Sequence, residues 1–270
     1  MGMPILVDVR DDGHEQAIDE LFDWFREVDE RFSTYKETSE ISRVNRGELH
    51  IRECHPDVRW VLTRCDELRE ETGGYFDARY AAFNRVDPSG LVKGWSVDRG
   101  AELLEEHRIE NYSISAGGDI RTRGRAVPDP AWRIGIQHPV LSDRVAAVVV
   151  ANDLALATSG AYIRGDHVLD PHTGLPAAGL LSVSIAGDDL GTADAYATAA
   201  FAMGEQALAW VPTLRPYEAH LILADEQSLS TPGFPLAVSP LTQGDELALG
   251  SVEVAQERGN EQHDERSDRE

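Results

Sequence analysis

The stretch LLSVSIAGDDLGTADAYATAAFAMG, residues 180–204, joins a strand-like run to an alanine-rich run. LLSVSI (180–185) is short and apolar, as β-strands are, and we expect a helix from Thr192 to Gly204. Similar strand-like runs are SIS (113–115), WRIGI (132–136) and VAAVVV (145–150). The part of the chain after about Tyr112 is therefore predicted to be mainly strands, interrupted by one helix.

The part of the chain before Tyr112 is predicted to be mainly helical after an opening strand, ILVDV (5–9). Apolar residues at helical spacing follow Asp11-Asp12, a second helix is predicted from about Pro56 to Thr72, and a third follows Gly94 and ends near His107. Strands and helices do not alternate strictly. The sequence therefore favours an α+β fold over a doubly wound parallel sheet.

The composition is that of a globular protein, with 41% hydrophobic and 27% charged residues in a chain of 270. The last twelve residues, GNEQHDERSDRE, have no apolar side chain, so we expect one folded domain over 1–258 and an acidic disordered tail over 259–270. No window reaches the length of a membrane span, and the start has no secretory signal pattern, which predicts a cytoplasmic protein. Cys54 and Cys65 lack metal-binding spacing and are predicted to be structural thiols.

The charge is strongly acidic, at -23, because 48 Asp and Glu residues face 25 Lys and Arg residues. Such a surface repels nucleic acid and anionic lipid, so neither is expected as a partner. Arginine replaces lysine almost everywhere, and only Lys36 and Lys93 remain. This usage is what we expect of a halophilic protein from a high-salt cytoplasm, and it draws attention to Lys93 beside several glycines.

The segment DPSGLVKGWSVD (87–98) is interpreted as a glycine-containing loop that leads into a helix. Glycines let the backbone approach an anion, a helix N-terminus adds positive potential, and Lys93 adds a mobile charge. These features predict a phosphate site, although the order of Lys and Gly does not match a Walker A loop. The alternative is an ordinary turn in which Lys93 is a surface charge.

The segment TADAYAT (192–198) places Asp194 and Thr198 one helical turn apart on the same face. A carboxylate and a hydroxyl in this arrangement can share a magnesium ion, which takes few protein ligands and prefers oxygen. Manganese would suit the same ligands. The alternative is that Asp194 caps the helix and Thr198 bonds to its own backbone.

Two neighbouring segments, Thr158-Ser159-Gly160 and HVLDPHTGLP (167–176), are rich in turn formers and polar groups. We expect loops here, and loops often carry function. His167 is a candidate proton acceptor near neutral pH, and Asp170 could orient a ring or a hydroxyl. A purely structural histidine is the alternative.

Eight sequence blocks in this order resemble the ApbE family of FAD:protein FMN transferases. Besides 87–98 and 192–204 (TADAYATAAFAMG), the blocks are MGM at the start, FSTYKETSEISRVN (32–45), GGYFDA (73–78), SAGGDIRTRG (115–124), WRIGIQHP (132–139) and ATSGAYIRGDHVLDPHTGLP (157–176). The resemblance covers nearly the whole chain apart from the tail. His172 stands where the family usually carries Arg or Lys.

The resemblance implies a T-fold-like α+β architecture with mixed sheets, packed helices, and FAD in a cleft where Mg²⁺ bridges its phosphates. It assigns metal binding to Asp194, Thr198 and the Gly90 carbonyl, and proton abstraction to His167. It assigns contacts with the flavin nucleotide to Met1, Tyr35, Tyr75, Phe76, Asp77, Asp87 and Lys93.

The implied reaction is a magnesium-dependent transfer of the FMN moiety of FAD to a Ser or Thr hydroxyl of an acceptor flavoprotein, with release of AMP. Family acceptors carry a Ser/Asp-Gly-Ala/Ser-Thr motif. The nearest string in this chain, Ser159-Gly160-Ala161-Tyr162, ends in Tyr, so we expect no self-modification. The alternatives are an FAD pyrophosphatase that yields FMN and AMP, and a non-catalytic flavin-binding protein.

Overall fold

The computed structural model describes residues 2–79, 85–160 and 168–237. Within these ranges the helices are α1 (Glu15–Phe32), α2 (Glu40–Asn45), α3 (Pro56–Glu71), α4 (Ser89–Glu106), α5 (Leu190–Met203) and α6 (Ala207–Trp210). The strands are β1 (Ile5–Val9), β2 (Tyr112–Ala116), β3 (Asp119–Arg123), β4 (Trp132–Gln137), β5 (Val145–Ala151), β6 (Leu154–Gly160), β7 (Leu180–Gly187), β8 (Glu218–Leu223) and β9 (Ser228–Ser230). The predicted tail, 259–270, lies outside the described residues.

The strands form a seven-stranded sheet, in the order β1-β2-β3-β6-β7-β8-β9, and a separate hairpin of β4 and β5. Every pairing is antiparallel. Helices and antiparallel sheets are therefore combined in one fold, which confirms the predicted α+β class.

Helix α5 lies at the centre of the core, since eleven of its fourteen residues are buried. Most of the buried ones are alanines, whose small side chains allow neighbouring elements to come close. A Cβ added to Gly191 of α5 would lie 3.1 Å from the Trp95 backbone nitrogen in α4. The two helices thus pack almost backbone to backbone, and each bears residues of the predicted site.

The hairpin of β4 and β5 packs on the large sheet through a second, smaller apolar cluster. This cluster joins Ile134, Ile136 and Val149 of the hairpin to Leu156 of β6 and Ala186 of β7. Phe234 completes it. The hairpin therefore shields the middle strands of the large sheet from water, which stabilises the strands that carry part of the site.

Two differences from the predicted element boundaries bear on the site. Helix α4 begins at Ser89, not after Gly94, because the carbonyl of its capping residue, Pro88, accepts a helical hydrogen bond from Val92 N–H at 3.0 Å. Gly90 and Lys93 therefore lie within the helix rather than in a loop before it. Residues 158–160 are the end of strand β6 and not a loop, because they pair with β7 along their whole length.

Both cysteines are free thiols, as predicted. Burial raises the pKa of the Cys54 thiol to about 11 and that of Cys65 to about 12. Both thiols therefore stay protonated at neutral pH and behave as small apolar side chains. Among the described helices, none combines the length and the apolar character needed to cross a lipid bilayer.

Candidate active site

A cleft of about 760 Å³ opens between the end of α1, the segment before α4, and the facing surfaces of α4 and α5. Its volume is within the range of small-molecule sites. The lining includes nine of the predicted site residues: Tyr35, Tyr75, Phe76, Asp77, Asp87, Gly90, Lys93, Asp194 and Thr198. Residues that are distant in sequence are thus brought to one cavity.

Two predicted residues, Met1 and His167, lie outside the described residues. Gly2 and Met3, which follow Met1, line the cleft. Val168 and Leu169, which follow His167, line it as well. The proposed roles of Met1 and His167 stay predictions from the sequence.

The Lys93 ammonium lies between two carboxylates in the wall of this cleft. Its Nζ is 2.5 Å from Asp119 Oδ2 and 3.3 Å from Asp194 Oδ1. Burial lowers the pKa of Lys93, but the Asp194 and Asp119 carboxylates outweigh it, so that the pKa is raised overall. Lys93 is therefore a permanent cation, half-buried with 23% of its side chain exposed, that pairs with two buried carboxylates.

The Asp194 carboxylate is almost completely buried, at 4% exposure, and its Oδ2 has no hydrogen-bond partner among the described residues. Burial raises the pKa of Asp194 to about 8, against the influence of Lys93 and with a contribution from Asp119. A buried oxygen without a partner is costly, so a ligand is expected to satisfy it. Asp194 Oδ2 is therefore a candidate ligand atom for a bound group.

Asp194 does not cap its helix. Helix α5 begins at Leu190, and its capping residue is Asp189, whose carboxylate accepts a hydrogen bond from Thr192 N–H at 2.6 Å. Thr198 faces α4, since its Oγ1 lies 3.8 Å from the position that a Cβ would take at Gly90. Asp194, Thr198 and Gly90 thus line the same part of the cleft, and their oxygens are of the kind that Mg²⁺ prefers.

Asp119, the closer partner of Lys93, is not among the predicted site residues. It is the first residue of β3 and follows Gly117 and Gly118, whose φ angles of 58° and 99° form the turn from β2. Burial raises the pKa of its carboxyl, while the Lys93 ammonium opposes the rise. The sequence block SAGGDI contains Asp119, but sequence spacing does not show that its side chain meets Lys93, which is 26 positions earlier.

The aromatic residues of the site differ in their exposure. Tyr35 is almost fully exposed, at 96%, whereas Phe76 is buried against Gly90. The Tyr75 hydroxyl donates a hydrogen bond to Gln206, and the ring meets His172 edge-on with centroids 4.5 Å apart. An exposed ring beside a cleft is suited to stacking on a planar ligand.

The two remaining predicted contacts, Asp77 and Asp87, both bond to nearby protein groups. Asp77 forms an ion pair with Arg69 at 3.0 Å and accepts a hydrogen bond from the backbone N–H of Arg79 at 2.8 Å. Asp87 accepts a hydrogen bond at 3.0 Å from the N–H of Ser89, the first residue of α4. Each therefore orders the backbone at the cleft as well as lining it.

The chain matches the model of the ApbE family over residues 1–85 and 82–221. It is 38% identical to the FAD:protein FMN transferase of Vibrio cholerae serotype O1 over 131 residues, 45% of this chain and 39% of the relative. It is 32% identical to the enzyme of the same name from Haemophilus influenzae over 157 residues, 54% of this chain and 45% of the relative. Each alignment thus spans less than half of the relative's length.

A solved structure, the flavin transferase ApbE from Vibrio cholerae, has the same fold with a TM-score of 0.75 and 25% identity. The superposition covers 86% of this chain and 94% of that chain. The residues that match the family model include all the site residues predicted from the sequence, from Met1 to Thr198. The chain belongs to the ApbE family.

Proposed function

We propose that this protein is a magnesium-dependent flavin transferase that moves the FMN moiety of FAD to a Ser or Thr hydroxyl of an acceptor protein. The observation that carries the proposal is the group of Lys93, Asp119 and Asp194 at a cleft of about 760 Å³, which Lys93 and Asp194 line. The names of the relatives from Vibrio cholerae and Haemophilus influenzae support it.

The residues fit a magnesium ion. The Asp194 Oδ2 atom is buried without a partner in the described part of the chain, and Thr198 lies across from Gly90. Asp194, Thr198 and the Gly90 carbonyl would hold the ion, and the phosphates and water would complete its shell. Bound there, it would offset negative charge on the pyrophosphate.

In the proposed reaction, the acceptor hydroxyl oxygen forms a bond to the FMN-side phosphorus, and the bond from that phosphorus to the AMP oxygen breaks. AMP leaves with the electron pair of that bond, and the hydroxyl proton passes to His167, the base that the family resemblance suggests. Lys93 contributes a fixed positive charge beside the phosphates, the kind of electrostatic help that dominates phosphoryl transfer.

The acceptor is proposed to carry a Ser/Asp-Gly-Ala/Ser-Thr motif, as family acceptors do. The decisive experiment incubates the full chain with FAD, Mg²⁺ and a protein that bears this motif, followed by intact-mass measurement. An increase of one FMN moiety on the acceptor, with an equal amount of AMP, supports the proposal. AMP formation without any acceptor would instead indicate an FAD pyrophosphatase, and FAD that stays intact would indicate a flavin-binding protein.

The acidic composition supports a further proposal, that the protein works in a high-salt cytoplasm. Because the net charge is -23, the acidic side chains repel one another at low ionic strength, and dissolved salt screens this repulsion. The proposal concerns habitat and does not depend on the transferase activity.

A further inference from the structure

Asp119 holds the Lys93 ammonium more closely than Asp194 does. The Nζ atom lies 2.5 Å from Asp119 and 3.3 Å from Asp194. Asp119 itself is fixed, because its Oδ1 accepts a hydrogen bond from the backbone N–H of Thr158 at 3.0 Å. Strands β3 and β6 therefore hold the Asp119 carboxylate in place, and it pairs with the Lys93 ammonium of α4.

Without the charge of Asp119, Lys93 would keep one carboxylate partner, Asp194. Opposite charges attract strongly where water is excluded, so the ammonium would move onto Asp194. That carboxylate is the proposed magnesium ligand. The lysine would then compete with the metal for the same oxygen atoms.

We propose that Asp119 is a positioning residue that keeps the Lys93 ammonium on the strand side of the cleft and thereby leaves Asp194 available to a divalent cation. The inference rests on the proposed function, because that function assigns the metal to Asp194. It assigns different roles to two neighbouring aspartates: Asp119 binds the lysine, and Asp194 binds the metal.

Asp119→Asn tests the charge without changing the shape. The amide oxygen of Asn can still accept the hydrogen bond from Thr158 N–H, but it offers no counter-charge to Lys93. Lys93→Met removes the proposed competitor. The two changes are combined in a double-mutant cycle, which measures whether the effect of Asp119→Asn changes when Lys93 is absent.

The first readout is Mn²⁺ binding, followed by the electron paramagnetic resonance signal of the free ion, with and without FAD. We expect Asp119→Asn to weaken binding about tenfold or more when Lys93 is present, and by no more than about threefold in the Lys93→Met background. Asp119→Glu, which keeps the charge, should recover most of the affinity. Equal losses of Mn²⁺ affinity with and without Lys93 would overturn the proposal. That result is expected if Asp119 binds the metal directly, or if it acts only through its negative charge.

Asp98→Asn is the control for an Asp-to-Asn change at a buried position away from the cleft. Asp98 belongs to the same helix as Lys93 and is 14% exposed, but it does not line the cleft. We expect this variant to bind Mn²⁺ as the wild type does. Failure of the wild type itself to bind Mn²⁺ would overturn the metal assignment of the proposed function, an outcome distinct from equal losses in the cycle.

The second readout needs no variant that could misfold. The chain has only two lysines, Lys36 and Lys93, so ¹⁵N-lysine labelling gives two side-chain ammonium groups for NMR. If Lys93 stays on Asp119, its ammonium signal should remain protected from exchange with water when Mg²⁺ is added to the wild type. Loss of the signal through this exchange would show that the metal displaces Lys93 from Asp119 and would overturn the proposal.

Discussion

Gly94 of α4 lies directly against the backbone of Leu190 in α5. A Cβ added to Gly94 would overlap the Leu190 carbonyl oxygen and would lie 2.8 Å from the Gly191 Cα. Both neighbours are backbone atoms, which cannot move aside as a flexible side chain can. This contact sets the distance between the helix that carries Lys93 and the helix that carries Asp194.

Gly94→Ala is therefore expected to force α4 and α5 apart. The cost of overpacking is about 1–3 kcal/mol, so the thermal midpoint should fall by several degrees. The rate of FMN transfer should fall by more than the loss of folded protein explains, because the Lys93–Asp194 distance changes too. Gly135→Ala is the control, since its Cβ would meet only Val145 at 3.4 Å in an exposed strand position. Wild-type stability in Gly94→Ala would contradict the close contact.

Asp194→Ala is expected to abolish metal-dependent transfer while the protein remains folded. It removes the only carboxylate of the proposed magnesium set, and transfer should fall by on the order of 10³-fold or more. Asp189→Ala is a matched comparison on the same helix, because Asp189 is the observed cap. That variant should lose about 1 kcal/mol of stability and keep its activity. The reverse pattern, measured by transfer rate and thermal midpoint, would identify Asp194 as structural.

Lys93→Ala is expected to weaken FAD binding or slow transfer. It removes the cation that lies between two buried carboxylates, and hydrogen bonds to charged groups contribute about 1.5–3 kcal/mol, or roughly 10–100-fold in affinity. Lys93→Arg should not restore function, because a planar guanidinium cannot occupy the place of a compact ammonium. Fluorescence titration of FAD and the transfer rate provide the check, and wild-type values for Lys93→Ala would exclude a phosphate role.

Local patterns in the sequence are enough to predict much of the fold. Apolar spacing predicts α1 and α3, an alanine-rich run predicts α5, and the spacing of Asp194 and Thr198 places both on one helical face. Strand β3, DIRTR, is not predicted, because three of its five residues are charged. Its pairing with β2 and β6 inside the sheet overrides this weak local preference.

The contact between Lys93 and Asp119 could not be predicted in the same way. Asp119 is an ordinary aspartate after two glycines when only the sequence is known. Its carboxylate becomes part of the site because the β2–β3 turn and the Thr158 backbone orient it towards α4. Such a pair depends on tertiary structure, and no sequence period encodes it.

Salt is expected to stabilise the protein. Raising KCl from about 0.1 M to about 2 M shortens the screening length from roughly 10 Å to below 3 Å, which weakens repulsion within a chain of charge -23. The thermal midpoint should rise over this range, and most of the rise should occur at the lower concentrations. A midpoint that stays constant or falls with KCl would contradict adaptation to high salt.

Asp98 is expected to make stability depend on pH. Burial raises the pKa of its carboxyl to about 7, Asp189 adds to the rise, and the Gly191 N–H and Arg121 oppose it. Between the ordinary value of 3.8 and about 7, the folded protein binds a proton that the unfolded chain has released. The stabilisation from this group is complete below the unfolded pKa and is lost as pH rises towards the folded pKa.

Asp98→Asn tests this dependence, because Asn is neutral at every pH and its amide oxygen can still accept the hydrogen bond from Gly191 N–H, which is 2.8 Å long in the wild type. Each pKa unit corresponds to about 1.4 kcal/mol, so the free energy of unfolding of the wild type should fall by roughly 2–3 kcal/mol relative to the variant from about pH 5 to about pH 8. Urea unfolding measures this difference, and the lower pH keeps the protein above its isoelectric point of about 4.7. The free energy of unfolding of Asp98→Ala should depend on pH as that of Asp98→Asn does, but it should be lower by a constant amount at every pH because the hydrogen bond to Gly191 N–H is missing. If the difference between wild type and Asp98→Asn does not change with pH, Asp98 is ionised in the folded protein throughout this range.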